Sequence, residues 1–377
     1  MNRRDFLSIA GATAAGVSIA PRLAAASKAD YTLRIGPVSA EIAKGKVIQT
    51  TGYNGTIPGP MLRMKEGKPV TIDIFNDAAW PELVHWHGLN VSTKADGAEE
   101  EGSPYVMPKG QLRVNFTPNP AGNRWYHTHI MAMDNMARGA YTGQFGFLYI
   151  EPKKEPGAYD QEHFLAARHW EAKILHRGDP QNDWTVDYDS ATLGTHSLGH
   201  GEPIRVKKGQ RVMFRFLNAS ATRDINLALP GHKFHVVALD GNPVPNPADV
   251  DVLQLVVAER VDAVVEMNNP GVWVLGATNQ ADRNKGLGIV IEYENEKGEP
   301  KWINPPNTPW DYTLFADKTA AAAKPIAGKF ELSFHMMPDP GKPFNIWMVN
   351  EKTWPDVDFL KVKKGKRYRV VLKSGHE

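Results

Sequence analysis

Two histidine pairs could carry chemistry in this chain: His85-Trp86-His87-Gly88, and Trp125-Tyr126-His127-Thr128-His129 about forty residues later. Alternate side chains of an extended strand share a face, so His85 and His87 point one way while Trp86 points the other. His127 and His129 repeat that arrangement, and four imidazoles can then meet at one place. Neutral imidazoles with no cysteine and few neighbouring carboxylates suit copper, zinc or iron, and ligand type alone does not choose among them. A single His-x-His pair reads more simply as two hydrogen-bonded histidines on a half-buried strand. Two such pairs with flanking aromatic residues favour a metal site.

The elements that must position these residues are strands. The sequence is 42% hydrophobic and 23% charged, an ordinary globular balance, and its 377 residues suffice for two or three domains. Its 33 glycines and 28 prolines punctuate short alternating apolar runs, and no long stretch has helical period, so the expected class is all-β. Strands are expected over residues 64–76, 83–91, 111–117 and 124–129. The net charge of +2 offers nothing to nucleic acid or to an anionic membrane. There is no cysteine, which excludes disulfides and the thiolate that a blue copper centre needs.

Residues 1–26 read as an export signal. Arg3-Arg4-Asp5-Phe6-Leu7 precedes a mildly apolar run and an Ala24-Ala25-Ala26 cleavage site, the pattern of twin-arginine export to the periplasm. That run is shorter than the ~20 residues a spanning helix needs, and no other segment is apolar enough to span.

Three stretches repeat one another: Arg63-Met64-Lys65-Glu66-Gly67-Lys68, Arg205-Val206-Lys207-Lys208-Gly209-Gln210 and Lys361-Val362-Lys363-Lys364-Gly365-Lys366. Their glycines stand 142 and then 156 residues apart, a spacing of one domain each. The expected division is 30–152, 158–300 and a partial third unit over 325–377, with a proline-rich and alanine-rich linker before the last.

The two histidine motifs, followed by Gly143-Gln144-Phe145-Gly146-Phe147-Leu148-Tyr149-Ile150, resemble the first cupredoxin domain of the multicopper oxidases, the laccase-like group. The resemblance implies tandem cupredoxin-like Greek-key β-sandwiches or barrels, two complete and a third in part. It implies a type 2 copper ligand in His85 and type 3 ligands in His87, His127 and His129. Asp96 matches a family aspartate that orients water beside the cluster, although Asp96-Gly97 alone is also a plain turn signal. The function implied is oxidation of a phenolic or similar donor, or of cuprous ion, by single electrons, coupled to reduction of dioxygen to water.

One departure matters. The family's third domain contributes a His-Pro-x-His-Leu-His stretch and a His-Cys-His stretch, and neither occurs in these 377 residues. The sequence therefore supplies half of the family's cluster histidines and no type 1 site, the pattern of a C-terminally truncated member that is inactive by itself. The alternative is an exported, non-catalytic cupredoxin scaffold or copper-binding protein. Met131, Met133 and Met136 follow the second pair closely and are expected to be packing or loop residues, and His232 and His235 to be structural.

Overall fold

The computed structural model describes residues 28–133, 135–153, 158–176, 184–306, 310–319, 325–339 and 345–374. The export signal expected over 1–26 lies outside the described residues, as does most of the alanine run after Thr319.

The first module contains β1 (Tyr31–Ala43), β2 (Lys46–Tyr53), β3 (Leu62–Lys65), β4 (Val70–Asn76), β5 (Val84–His87), β6 (Gln111–Phe116), β7 (Gly122–Thr128) and β8 (Phe145–Glu151). These form two four-stranded sheets, ordered β2-β1-β4-β6 and β3-β8-β7-β5. Alternation builds the space between them: β4 buries Val70, Ile72, Ile74 and Asn76 and leaves the residues between half-exposed. Leu33, Ile35, Ile72, Trp86, Tyr126 and Leu148 meet in one core.

The second module follows with β9 (Gln161–His176), β10 (Trp184–Leu193), β11 (Ile204–Val206), β12 (Arg211–Asn218), β13 (Ile225–Ala228), β14 (Phe234–Leu239), β15 (Asn242–Val250), β16 (Val252–Leu255), β17 (Arg260–Glu266), β18 (Val272–Ala277) and β19 (Gly288–Tyr293). Its sheets run β10-β9-β12-β17-β14-β15 and β11-β19-β18-β13-β16. A smaller sheet, β21-β20-β22, comes last, from β20 (Gly328–Pro338), β21 (Asn345–Val349) and β22 (Tyr368–Ser374).

The sequence repeat is a topological repeat. Each repeated stretch leads into the strand that pairs in parallel with the first strand of its unit: β4 with β1, β12 with β9, and β22 with β20. Gly67, Gly209 and Gly365 have φ of 75°, 86° and 77°. A hydrogen bond closes each turn, from Lys68 N to Lys65 O, Gln210 N to Lys207 O and Lys366 N to Lys363 O. A Cβ at any of the three would meet nothing, so backbone conformation selects glycine there and not packing.

The expected strands form, with shorter bounds. The run 64–76 breaks at the Gly67 turn, and 83–91 shrinks to β5 because Gly88 turns the chain at φ 88°. Between the two stretches expected as linker, residues 304–309 and the alanine run after Thr319, Trp310 and Phe315 pack on the second core, and the Tyr312 hydroxyl donates to Glu259.

Modules one and two share an apolar seam that includes Val38, Ile48, Trp125, Phe147, Trp170 and Leu217. Beside it, Arg215 pairs with Asp262 at 2.5 Å, and Asp262 also accepts from Asn123 at 2.9 Å. Gly122 and Gly241 bring the backbones together so closely that a Cβ on Gly122 would lie 1.8 Å from Gly241 O. Thus β7, the strand that carries His127, is held from both modules.

Candidate metal centre

β5 and β7 pair antiparallel, with His85 opposite His127 and His87 opposite Trp125. Directly opposed residues share a face, so the imidazoles of His85, His87 and His127 lie on one side while Val84, Trp86 and Tyr126 fill the core on the other. One nitrogen from each of these three histidines lies within 4.8 Å of the others. The closest approach is His87 Nδ1 to His127 Nε2, 3.3 Å. His129 lies one residue beyond β7; its ring centroid is 5.3 Å from that of His85 and 6.3 Å from that of His127.

Hydrogen bonds settle which nitrogen each ring presents. The His85 Nδ1–H donates to Asp96 O at 2.8 Å, and the His127 Nδ1–H donates to Thr128 O at 2.8 Å. Each ring therefore leaves its Nε2 lone pair for the site, as ligating histidines commonly do when the other nitrogen is held by an acceptor, and that of His127 accepts from His87 Nδ1 at 3.3 Å. Trp125 stacks on His127, centroids 4.1 Å apart, and fixes its plane.

Burial keeps the His87 and His127 rings neutral. It lowers the pKa of His87 to about 3, helped by the positive charge of Arg260, the neighbouring His85 and His129, and Arg124. His127 is lowered well below the ordinary range, by burial first and then by His85 and His87. A neutral imidazole offers its lone pair to a metal without first losing a proton.

The helix α1 (Thr93–Asp96) delivers Asp96. Trp86 Nε1 donates to Ala95 O at 2.8 Å, tying α1 to β5. Gly97, at φ 72°, lets the chain pass so close that a Cβ there would lie 2.1 Å from Val84 O. Asp96 Oδ1 consequently sits 3.1 Å from His85 Nδ1, off the line of the N–H, and is buried with no hydrogen-bond partner. Such an orphaned buried acceptor beside His85 lacks the partner that buried polar atoms ordinarily have.

The four histidines open on a cavity of about 230 Å³ whose far wall belongs to the second module, through Arg168, Ser220 and Ala258. A larger cavity, about 650 Å³, lies on the second module around His232 and His235. Those two have separate partners, His232 with Pro230 O and Tyr293 and His235 with Asp249. Met131 and Met133 are exposed.

Two residues at the centre escape a reading of motifs. Glu82 is fully buried, accepts from Thr128 at 2.9 Å and Trp80 at 2.7 Å, and is pushed up by burial. Its place three residues before His85, opposite-phase to the histidines, was the available signal. Arg168 carries no local signal, because only the docking of two modules brings it to the cavity.

Residues 35–155 and 149–296 match two family models, each described as multicopper oxidase, and the first contains both histidine pairs and Asp96. The chain belongs to the multicopper oxidase family. It is similar to multicopper oxidase mco of Staphylococcus haemolyticus, 29% identical over 247 residues, covering 63% of this chain and 53% of that protein. It is likewise 29% identical to copper resistance protein A of Pseudomonas syringae pv. tomato over 328 residues, 70% of this chain and 52% of that one. The chain spans about half the length of the curated relatives it matches. The crystal structure of blue copper oxidase from Nitrosomonas europaea shares its fold, with a TM-score of 0.63 and 24% identity over 76% of this chain and 92% of that one. Copper is the cofactor this family implies, and a cluster of converging imidazoles without thiolate fits it.

Proposed function

We propose that this chain supplies the first half of the copper cluster of an oxidase that couples single-electron oxidation of a small donor to reduction of dioxygen to water. His85 binds type 2 copper, and His87, His127 and His129 bind type 3 copper. Asp96 orients water at the cluster. The convergence of three histidine nitrogens within 4.8 Å, two of them freed by hydrogen bonds at the other nitrogen, carries this reading.

Bound copper ions supply the storage of electrons that lets dioxygen be reduced without releasing partial products. The chain's own part is positional. His85 and His127 present Nε2 and His87 presents Nδ1, and the buried His87 and His127 rings are already neutral, so binding costs those two no net proton. Asp96 Oδ1, buried and unpaired, accepts a hydrogen bond from a water next to His85. Apolar walls from Ala219, Val257 and Ala258 limit bulk water in the cavity. The donor is a phenol, an aromatic amine or cuprous ion.

In this proposal residues 1–26 direct twin-arginine export to the periplasm, 30–152 form the copper-bearing domain, 158–300 a domain without copper, and 325–377 part of a third. No helix among the described residues is long and apolar enough to cross a membrane. The remaining cluster ligands and the type 1 site come from His-Pro-x-His-Leu-His and His-Cys-His segments that these 377 residues do not contain.

The absence of cysteine favours a second reading for the chain alone: a copper-binding protein without oxidase activity. A single comparison separates the two. Copper-loaded chain is expected to lack intense blue absorption and to consume no oxygen with a phenol. The chain extended by a segment carrying both motifs is expected to gain both properties. An extended protein that folds and binds copper but gains neither would defeat the oxidase reading.

A further inference from the structure

The second module contributes one cation to the histidine cavity. Arg168, on β9, is 3% exposed, and its guanidinium donates to Ala219 O, to Ala140 O at 2.6 Å and to Thr142 O at 2.6 Å. The rings of Trp170 and Phe145 lie 5.2 and 5.3 Å from it. Among the described residues no carboxylate pairs with it, and its Nε has no partner. Burying a guanidinium without a counter-ion is expensive, and three carbonyls recover only part of the lost hydration. An apolar side chain would serve simple packing better, so the fork has another use.

Its partners identify that use. Ala140 belongs to the turn Gly139–Tyr141 and Thr142 follows it; both line the histidine cavity. The turn presses on the chain just beyond His129: a Cβ on Gly139 would lie 2.3 Å from Ile130 O and 2.9 Å from Ala132 N. His129 is also the imidazole that β7 does not hold. It lies past the end of the strand, its backbone N–H reaches Leu83 O at 3.3 Å, and it stands outside the group of three converging nitrogens.

We infer that Arg168 is a positioning residue for His129, tying the 139–142 turn to the second module and thereby setting whether the fourth imidazole joins the other three. The inference rests on the reading of these histidines as copper ligands. Under it the second module, which holds no copper ligand, is still part of the copper site. Lysine cannot replace the residue, because a single ammonium cannot span three carbonyls in the geometry of a planar fork.

The test uses the full chain with Arg168→Lys, His129→Ala and their combination, and Cu(II) added in competition with a chelator. In the metal-free protein, ring NMR signals of His129, assigned with His129→Ala, are compared in wild type and Arg168→Lys. The expected result is that Arg168→Lys moves or broadens the His129 signals and leaves those of His85 and His127 in place. It weakens the copper that depends on His129 roughly ten- to hundred-fold, and the double variant is no weaker than His129→Ala. Gly139→Ala, which displaces the same turn with Arg168 intact, reproduces the loss if Arg168→Lys lowers stability too far. Unchanged His129 signals, or additive losses in the double variant, would overturn the inference. Wild type that binds no copper while His129 still responds to Arg168→Lys would refute the copper reading and leave the positioning intact.

Discussion

His87 Nδ1 faces His127 Nε2 across 3.3 Å. Two nitrogens bound tetrahedrally to one metal at about 2.0 Å stand about 3.3 Å apart, so the apposition of β5 and β7 already has the span of a metal chelate. Burial keeps both rings neutral, so a single N–H, from His87 Nδ1 to His127 Nε2, bridges them in the metal-free protein.

That burial has a pH signature in the metal-free protein. The folded-state pKa of His87 is lowered to about 3, whereas the unfolded chain titrates near 6.5. The unfolded state therefore binds more protons between these values, and the stability tied to neutral His87 is complete above about pH 6.5 and declines as pH falls toward 3. Chemical denaturation between pH 7 and 4 is expected to show this decline, and His87→Phe to flatten it. An equal slope in both proteins would contradict the assignment.

Gly97→Ala should loosen Asp96 from His85. The new methyl would lie 2.1 Å from Val84 O at a backbone φ of 72°, so α1 must lift from β5. A loss of about 1–3 kcal/mol in stability is expected for such strain, together with weaker copper binding. Thermal melts with and without Cu(II) measure both effects.

Asp262 accepts from Asn123 of the first module and holds Arg215, whose guanidinium in turn donates to Tyr149 of the first module. Asp262→Ala leaves Arg215 buried with Glu162 as its remaining carboxylate, and a loss of about 3 kcal/mol or more is expected for breaking a buried pair. The change should merge with that of Gly122→Ala in a double variant, because both open the same seam; additive losses in denaturant titrations would argue against a shared interface.

Among the sheets of the described residues, the last is the least protected. None of the described side chains of β20, β21 and β22 is buried, and Trp347 and Leu372 are 68% and 66% exposed. A sheet with no buried face has little hydrophobic stabilisation. Amide hydrogen exchange over 328–374 is expected to be much faster than in β4, β7, β12 and β17; comparable protection would show that another surface covers it.

The histidine strands were legible because a period of two and paired motifs survive in sequence without any knowledge of tertiary contacts. The three-fold repeat was legible for the same reason, since a left-handed turn demands glycine at Gly67, Gly209 and Gly365 wherever it recurs. Strand ends were read too long where a close approach stops the chain: Gly88 turns under Arg124 and Arg260, which come from β7 and β17. Arg168 and Glu82 were hidden because their roles depend on burial, which charge alone predicts against. The stretch around Trp310 and Phe315 had no reading of its own between the proline-rich and alanine-rich runs, because its position is decided by two aromatic rings that meet the second core only in the fold.

The central claim is that the two histidine pairs form one copper site. X-ray absorption of the full chain loaded with one equivalent of Cu(II) tests it most directly, compared with His85→Ala, His87→Ala and His127→Ala. The expected first shell is nitrogen or oxygen at about 2.0 Å with imidazole scattering, diminished in each of the three variants alike. Copper that binds with an unchanged imidazole signal in all three variants would contradict it.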